Sequence, residues 1–153
     1  MLKLSTRIRY SLRLVVYLCD HAGSDNPVQL KRVSKDQGIS MRYLEQLVVP
    51  LKSSGIIKSV AGKKGGYYLA LPPESLKVAK VVEAAGEEPR LLDCLDPKVK
   101  CVYKDVCSSR KMWGLVNARM WDVLNEYTIS DLSEKEMYAF REKTFGKNVT
   151  RNC

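Results

Sequence analysis

Residues 38–71 read GISMRYLEQLVVPLKSSGIIKSVAGKKGGYYLAL, a helix that runs into a hairpin with no linker between them. Ser40 can cap the helix, Leu44, Leu47, Val48 and Leu51 share its buried side, and Gly55 ends it. Pro50 sits late in this helix and is expected to kink it, because it has no N–H to donate. Two β-prone runs follow, Ile56–Val60 and Tyr67–Leu71, around the turn Gly62-Lys63-Lys64-Gly65-Gly66, and Pro72-Pro73 closes the hairpin. Upstream, apolar Ile8, Leu12, Val15, Cys19 and Ala22 mark one face of a helix over residues 5–22. The turn residues GSDNP separate it from a short helix from Val28 to Lys35 that stops near Gly38. Helix, short helix, turn, helix and hairpin in this order make a winged helix-turn-helix. The expected fold class is therefore mainly α with a small β-hairpin wing.

After the hairpin a short helix fits Val78 to Ala85, ending at Gly86. A loop, DCLDPKVKCVYKDVC, then leads into a long helix reaching about Tyr127. Trp113, Val116, Met120, Val123 and Tyr127 recur on one side of that helix, and Trp121 and Leu124 widen the stripe. Such a stripe so late in a small chain needs a partner surface, and a second copy of the chain is the simplest one. SEKE at 133–136 carries the capping-box pattern of a last short helix. The chain thus divides into a winged-helix unit at 1–86, a cysteine loop at 87–107, a dimerisation helix plus C-terminal helix at 108–145, and a flexible tail at 146–153.

Charge and chemistry narrow the function. Lys and Arg number 26 against 17 Asp and Glu, a formal net charge of +9, which favours a polyanionic partner. The first turns of a recognition helix meet base edges, which singles out Ser40, Arg42, Tyr43, Glu45 and Gln46. Lys63 and Lys64 at the hairpin tip suit phosphates or a minor groove, and Arg7, Arg9 and Lys58 add phosphate contacts. No Ser/His/Asp set, nucleotide loop or carboxylate pair supports catalysis, so the chain reads as a non-enzyme. No run approaches the roughly 18 apolar residues of a membrane span, and the N-terminus lacks a signal peptide's cleavage site, so cytoplasm is the expected location. There thiols stay reduced. Cys94, Cys101 and Cys107 follow C-x6-C-x5-C with no C-x2-C knuckle, so a zinc finger does not fit. An iron–sulfur cluster, which normally takes four ligands, three free thiols and a disulfide sensor all remain open on spacing alone. Cys19 reads as core, Cys153 as a tail thiol and His21 as a helix-end residue.

The stretch GISMRYLEQLVVPLKSSGIIKSVAGKKGGYYLA resembles the recognition helix and wing of the IscR/NsrR/CymR family of bacterial winged-helix transcription regulators. LKLSTRIRYSLRLVVYLCDHA is similar to that family's first helix, and the three-cysteine loop to its iron–sulfur-binding branch. The resemblance implies a homodimer held by the long helix and bound to a palindromic operator in double-stranded DNA. It also implies an iron–sulfur cluster on Cys94, Cys101 and Cys107, the two-iron (2Fe-2S) form preferred over 4Fe-4S, with iron–sulfur assembly proteins as a further partner class. Oxidation, nitrosylation or loss of the cluster would change which DNA is bound, and Glu45 matches a position implicated in choosing between operator types. The fourth ligand departs from the pattern. The family's histidine three residues past the third cysteine is here Arg110, and its partner-chain carboxylate near the start of the first helix is here Arg9. Asp93, Asp96, Asp105, Cys153 or an external ligand are the alternatives. A cluster-free regulator gated by thiols or a partner, as in the cysteine-metabolism branch, is the competing reading. A non-DNA iron–sulfur module is the remoter one.

Overall fold

A computed structural model describes residues 5–86 and 90–133. Helix α1 spans Thr6–His21 and is capped by Ser5, whose Oγ accepts the Ile8 N–H at 3.2 Å. Its buried side is Ile8, Ser11, Leu14, Val15, Tyr17 and Leu18, wider than and rotated from the stripe expected from spacing. Leu12, Cys19 and Ala22 lie at its half-buried edge. The reason is that α1 is enclosed: the third helix, the fourth helix and the second hairpin strand all pack against it.

Helix α2 (Leu30–Gln37) ends at Gly38, whose φ of 64° is a left-handed cap that costs glycine little. Two residues later Ser40 caps α3 (Met41–Ser53), its Oγ accepting the Tyr43 N–H at 3.3 Å. Leu44, Leu47, Val48 and Leu51 point inward, as the spacing predicts. Helix α3 carries Pro50 in its interior, so the Gln46 carbonyl receives no N–H from the position four residues on.

Strands β1 (Ile57–Val60) and β2 (Gly66–Leu69) pair antiparallel, Ile57 opposite Leu69 and Val60 opposite Gly66. A third segment joins them: Val28 bridges Tyr67 through N–H···O bonds of 2.9 and 2.8 Å. That bridge forces glycine at 66, because a Cβ there would lie 2.5 Å from the Val28 carbonyl carbon and oxygen. The winged helix read from the sequence is therefore the fold observed.

Helix α4 (Val78–Ala84) and α5 (Ser108–Glu126) complete the described chain, with 3-10 turns at Asp93–Leu95 and Ser130–Leu132. After α5 the chain returns to the winged unit. The Val78 N–H donates to the Tyr127 carbonyl at 3.0 Å, the Ile129 N–H to the Leu76 carbonyl at 2.8 Å, and Ile129 is fully buried. One core thus runs through Leu14, Leu18, Leu44, Leu47, Leu51, Ile56, Leu76, Val81 and Ile129. The helix expected from SEKE, the tail and Cys153 lie outside the described residues. Among the described residues, no helix is long and apolar enough to cross a membrane.

Candidate nucleic-acid interface and cysteine loop

Four outward residues of α3, Arg42, Glu45, Gln46 and Val49, recur at three- and four-residue spacing and form one exposed stripe. The inward Leu44, Leu47 and Leu51 fix the helix so that this stripe faces solvent. Ser40 is spent on the cap and Tyr43 is half-buried, so among the residues singled out on α3 only Arg42, Glu45 and Gln46 present free polar ends.

Tyr43 has a structural task. Its ring meets the Tyr10 ring edge-on, centroids 5.8 Å apart at 81°. The guanidiniums of Arg9 and Arg13 lie 5.3 and 5.4 Å from the Tyr10 centroid. Arg13 is also tied to α2, its Nη2 donating to the Gln37 carbonyl at 2.7 Å. Aromatic stacking to α3 and the Arg13 hydrogen bonds to α2 therefore join the three helices behind the exposed stripe. Arg9 remains exposed and Arg7 half-exposed. Arg7, with Ser5 and Thr6, forms one wall of an open groove of about 590 Å³, and Tyr43, Gln46, Leu47 and Val49 form the other.

The wing is anchored to the same frame. Gln29 Nε2 donates to the Lys63 carbonyl at 2.9 Å, holding the tip against the start of α2. Lys63 and Lys64 are exposed, as is Lys58 on β1. Lys52 Nζ donates to Ser59 Oγ at 2.8 Å and ties α3 to β1. Tyr10, Arg13, Gln29 and Val49 went unnoticed in the sequence. Val49 was legible from the spacing of the stripe, whereas nothing local marks Gln29, whose partner is 34 residues away.

The cysteine loop packs on the first part of α5. Cys94 lies in the 3-10 turn, Cys101 in the open loop, and Cys107 caps α5, its Sγ accepting the Arg110 N–H at 3.4 Å. Arg110 Nε donates to the Cys94 carbonyl at 2.9 Å, and Asn117 Oδ1 accepts the Leu91 N–H at 3.2 Å. Arg110, which stands where the resemblance places a ligand, is thus a brace between the two outer cysteines. Asp96 is committed to Arg90 at 2.8 Å and to the Lys98 N–H at 2.8 Å, while Asp93 and Asp105 are exposed.

All three thiols are half-buried and unpaired. That donor chemistry, with one helix N–H donated to the Cys107 sulfur, fits thiolate ligation of a cluster. Among the described residues, however, no three His, Cys, Asp or Glu side chains converge closely enough to hold a metal ion. At Cys19, burial first, then the charges of Asp20 and Glu74, push the thiol pKa up, as befits a packing residue.

Helix α5 has two apolar faces. Trp121, Leu124 and Tyr127 pack on the chain's own core. Trp113 and Val123 are 39% and 49% exposed, Met112 and Leu115 extend that outer surface, and Val116 and Met120 are half-buried. Of the five residues expected to face a second copy, Tyr127 therefore turns inward and the other four lie on or beside the outer face.

Comparison with known proteins places this architecture. Residues 4–135 match the Rrf2 family, described as "Iron-dependent Transcriptional regulator". "Protein rrf2" of Nitratidesulfovibrio vulgaris (Hildenborough) is 38% identical over 131 residues, 86% of this chain and 87% of that protein. The solved structure of CymR, "the Global Cysteine Regulator of B. subtilis", superposes with a TM-score of 0.73 at 29% identity, covering 90% of this chain and 98% of that one. T. potens IscR superposes with a TM-score of 0.69 at 28% identity, covering 99% and 94%.

Proposed function

The chain belongs to the Rrf2 family of transcriptional regulators, and from that premise we propose that it is a homodimeric, sequence-specific DNA-binding regulator. In this reading its affinity is set by an iron–sulfur cluster on Cys94, Cys101 and Cys107. One observation carries the DNA assignment: the Ser40-capped α3 turns Arg42, Glu45 and Gln46 outward beside a wing whose Lys63 is pinned to α2. Arg42 can bind guanine bidentately, Gln46 adenine, and Glu45 can accept from cytosine N4. Lys58, Lys63, Lys64, Arg7 and Arg9 supply sequence-independent phosphate contacts.

Trp113, Val116, Met120 and Val123 form the surface through which two copies join along α5, placing two winged units on a palindromic operator. When bound, a cluster supplies a redox-sensitive cross-link among the three thiols. The chain's own residues connect that loop to the DNA-binding unit. Arg110 braces Cys94 against the start of α5, and the far end of α5 is bonded to Val78 at the start of α4. Order in the loop therefore bears on the helix that sets the spacing of the two recognition helices.

The competing reading, a cluster-free regulator gated by thiol state, draws support from the lack of convergence among the three cysteines. One experiment separates the two. The protein is purified anaerobically, its absorption spectrum recorded, and its iron and acid-labile sulfide counted per chain. Its affinity for a duplex recovered by selection from a randomised pool is then measured before and after removal of iron. Brown protein that loses its iron on Cys94→Ala, Cys101→Ala or Cys107→Ala, with changed DNA affinity, is the expected result. Colourless protein after reconstitution, with DNA binding altered by thiol oxidation, replaces the cluster with redox thiols. Equal affinity in every state removes regulation by the loop altogether.

A further inference from the structure

Val49 has no evident reason to be where it is. It is 63% exposed in the interior of a helix, at the C-terminal end of a stripe whose other members are Arg42, Glu45 and Gln46. Neither helix propensity nor solvation favours a β-branched apolar side chain there. It is also not isolated, because it lines the open groove of about 590 Å³ opposite Arg7 and beside Gln46. A cationic wall faces one that carries an amide and an isopropyl group. That combination matches one strand of a DNA major groove: a phosphate on the Arg7 side, and a base edge on the other.

The major groove offers one apolar feature, the C5-methyl of thymine. We propose that Val49 is a specificity-determining residue, reading a thymine methyl beside the base contacted by Gln46. The inference rests on the DNA-binding reading of α3 and adds to it a position at which T is preferred over every other base, uracil included.

The test exploits that last comparison, since deoxyuridine differs from thymidine only by the methyl group. Each T of a duplex selected by the wild-type protein is replaced by deoxyuridine in turn, and affinity is measured by fluorescence anisotropy. The expected result is one position per half-site where wild type loses about fourfold, the effect of one buried methyl group. At that position Val49→Ala binds the T and U duplexes equally, while Val49→Ile keeps the preference. Since the side chain is largely exposed, both variants should fold, and a general loss of structure would weaken every duplex rather than remove a single-methyl preference at one base alone.

The inference is overturned if Val49→Ala retains every deoxyuridine effect of wild type. It is equally overturned if Val49→Ala weakens all sequences alike, or if it changes the oligomeric state rather than base preference. Failure of wild type to select any duplex would instead bring down the DNA-binding reading, and this inference with it.

Discussion

Replacing Gly66 with alanine should unfasten the wing. The new Cβ would sit 2.5 Å from the carbonyl carbon and oxygen of Val28 and 2.9 Å from the Gln29 nitrogen, all backbone atoms with no rotamer to escape into. Relief requires parting β2 from residues 28–29, which breaks the two bonds of 2.9 and 2.8 Å between Val28 and Tyr67. At about 1 kcal/mol net for each hydrogen bond, the cost is about 2 kcal/mol, with the displaced packing of the Tyr67 ring adding to it. Urea unfolding followed by circular dichroism should show a lower midpoint at unchanged slope. DNA binding supplies a second readout. Losing the bridge also loosens the Gln29–Lys63 bond, so Lys63 and Lys64 no longer hold their place against phosphates. Affinity should fall for all sequences, and the slope of log K against log salt should flatten by up to about 2, at about 0.9 for each phosphate no longer neutralised. Lys63→Ala with Lys64→Ala should reproduce the flattened slope without the stability loss. A Gly66→Ala protein within about 0.5 kcal/mol of wild type, with an unaltered salt slope, would refute the reasoning.

Arg42→Ala and Gln46→Ala should each weaken specific binding by about 1–3 kcal/mol and relax preference at one base pair, leaving non-specific binding intact, as competition with random duplexes would reveal. Trp113→Glu should shift the protein toward monomer in sedimentation velocity while preserving its helical circular dichroism, because among the described residues Trp113 lies outside the buried core cluster and is 39% exposed. Asp131 accepts both the N–H and the hydroxyl of Thr128 at 2.7 Å, which holds its carboxyl below the ordinary 3.8. A depressed carboxylate stabilises the fold above that ordinary value, and the contribution is lost as pH falls through the folded-state pKa. Urea midpoints of wild type and Asp131→Asn should therefore differ near neutrality and converge in acid.

The elements whose limits are written in local chemistry were legible in the sequence: Ser40 and Gly38 around the turn, Gly55 before β1, the glycines and lysines of the wing. What escaped depended on partners distant in sequence. The stripe on α1 was misphased because that helix is covered from several sides, so Leu14, Tyr17 and Leu18 are buried alongside the residues that spacing selects. The same limit applies to α5, where one periodicity serves two faces. Nothing in the spacing says that Trp121 packs on its own core while Trp113 looks outward. The Val28–Tyr67 bridge and the return of Ile129 to the core have only faint signals, a valine after a turn and a β-branched pair after a helix. For the cysteines, sequence located the loop and the long helix after Cys107, while the cap by the Cys107 sulfur and the brace by Arg110 came from the structure.

Helix α5 is fastened at both ends. Arg110 holds its beginning and Asn117 its middle to the cysteine loop, and Lys77 Nζ on the Glu126 carbonyl with Val78 on Tyr127 hold its end to α4. A helix so clamped behaves as a beam rigidly joined to the body it leaves. Nineteen residues make it about 28 Å long. For two chains joined along such beams, a tilt of about 7° carries one end through about 3.4 Å, the rise of a single base pair. Angular tolerance, rather than contact strength, then governs whether both half-sites can be engaged together.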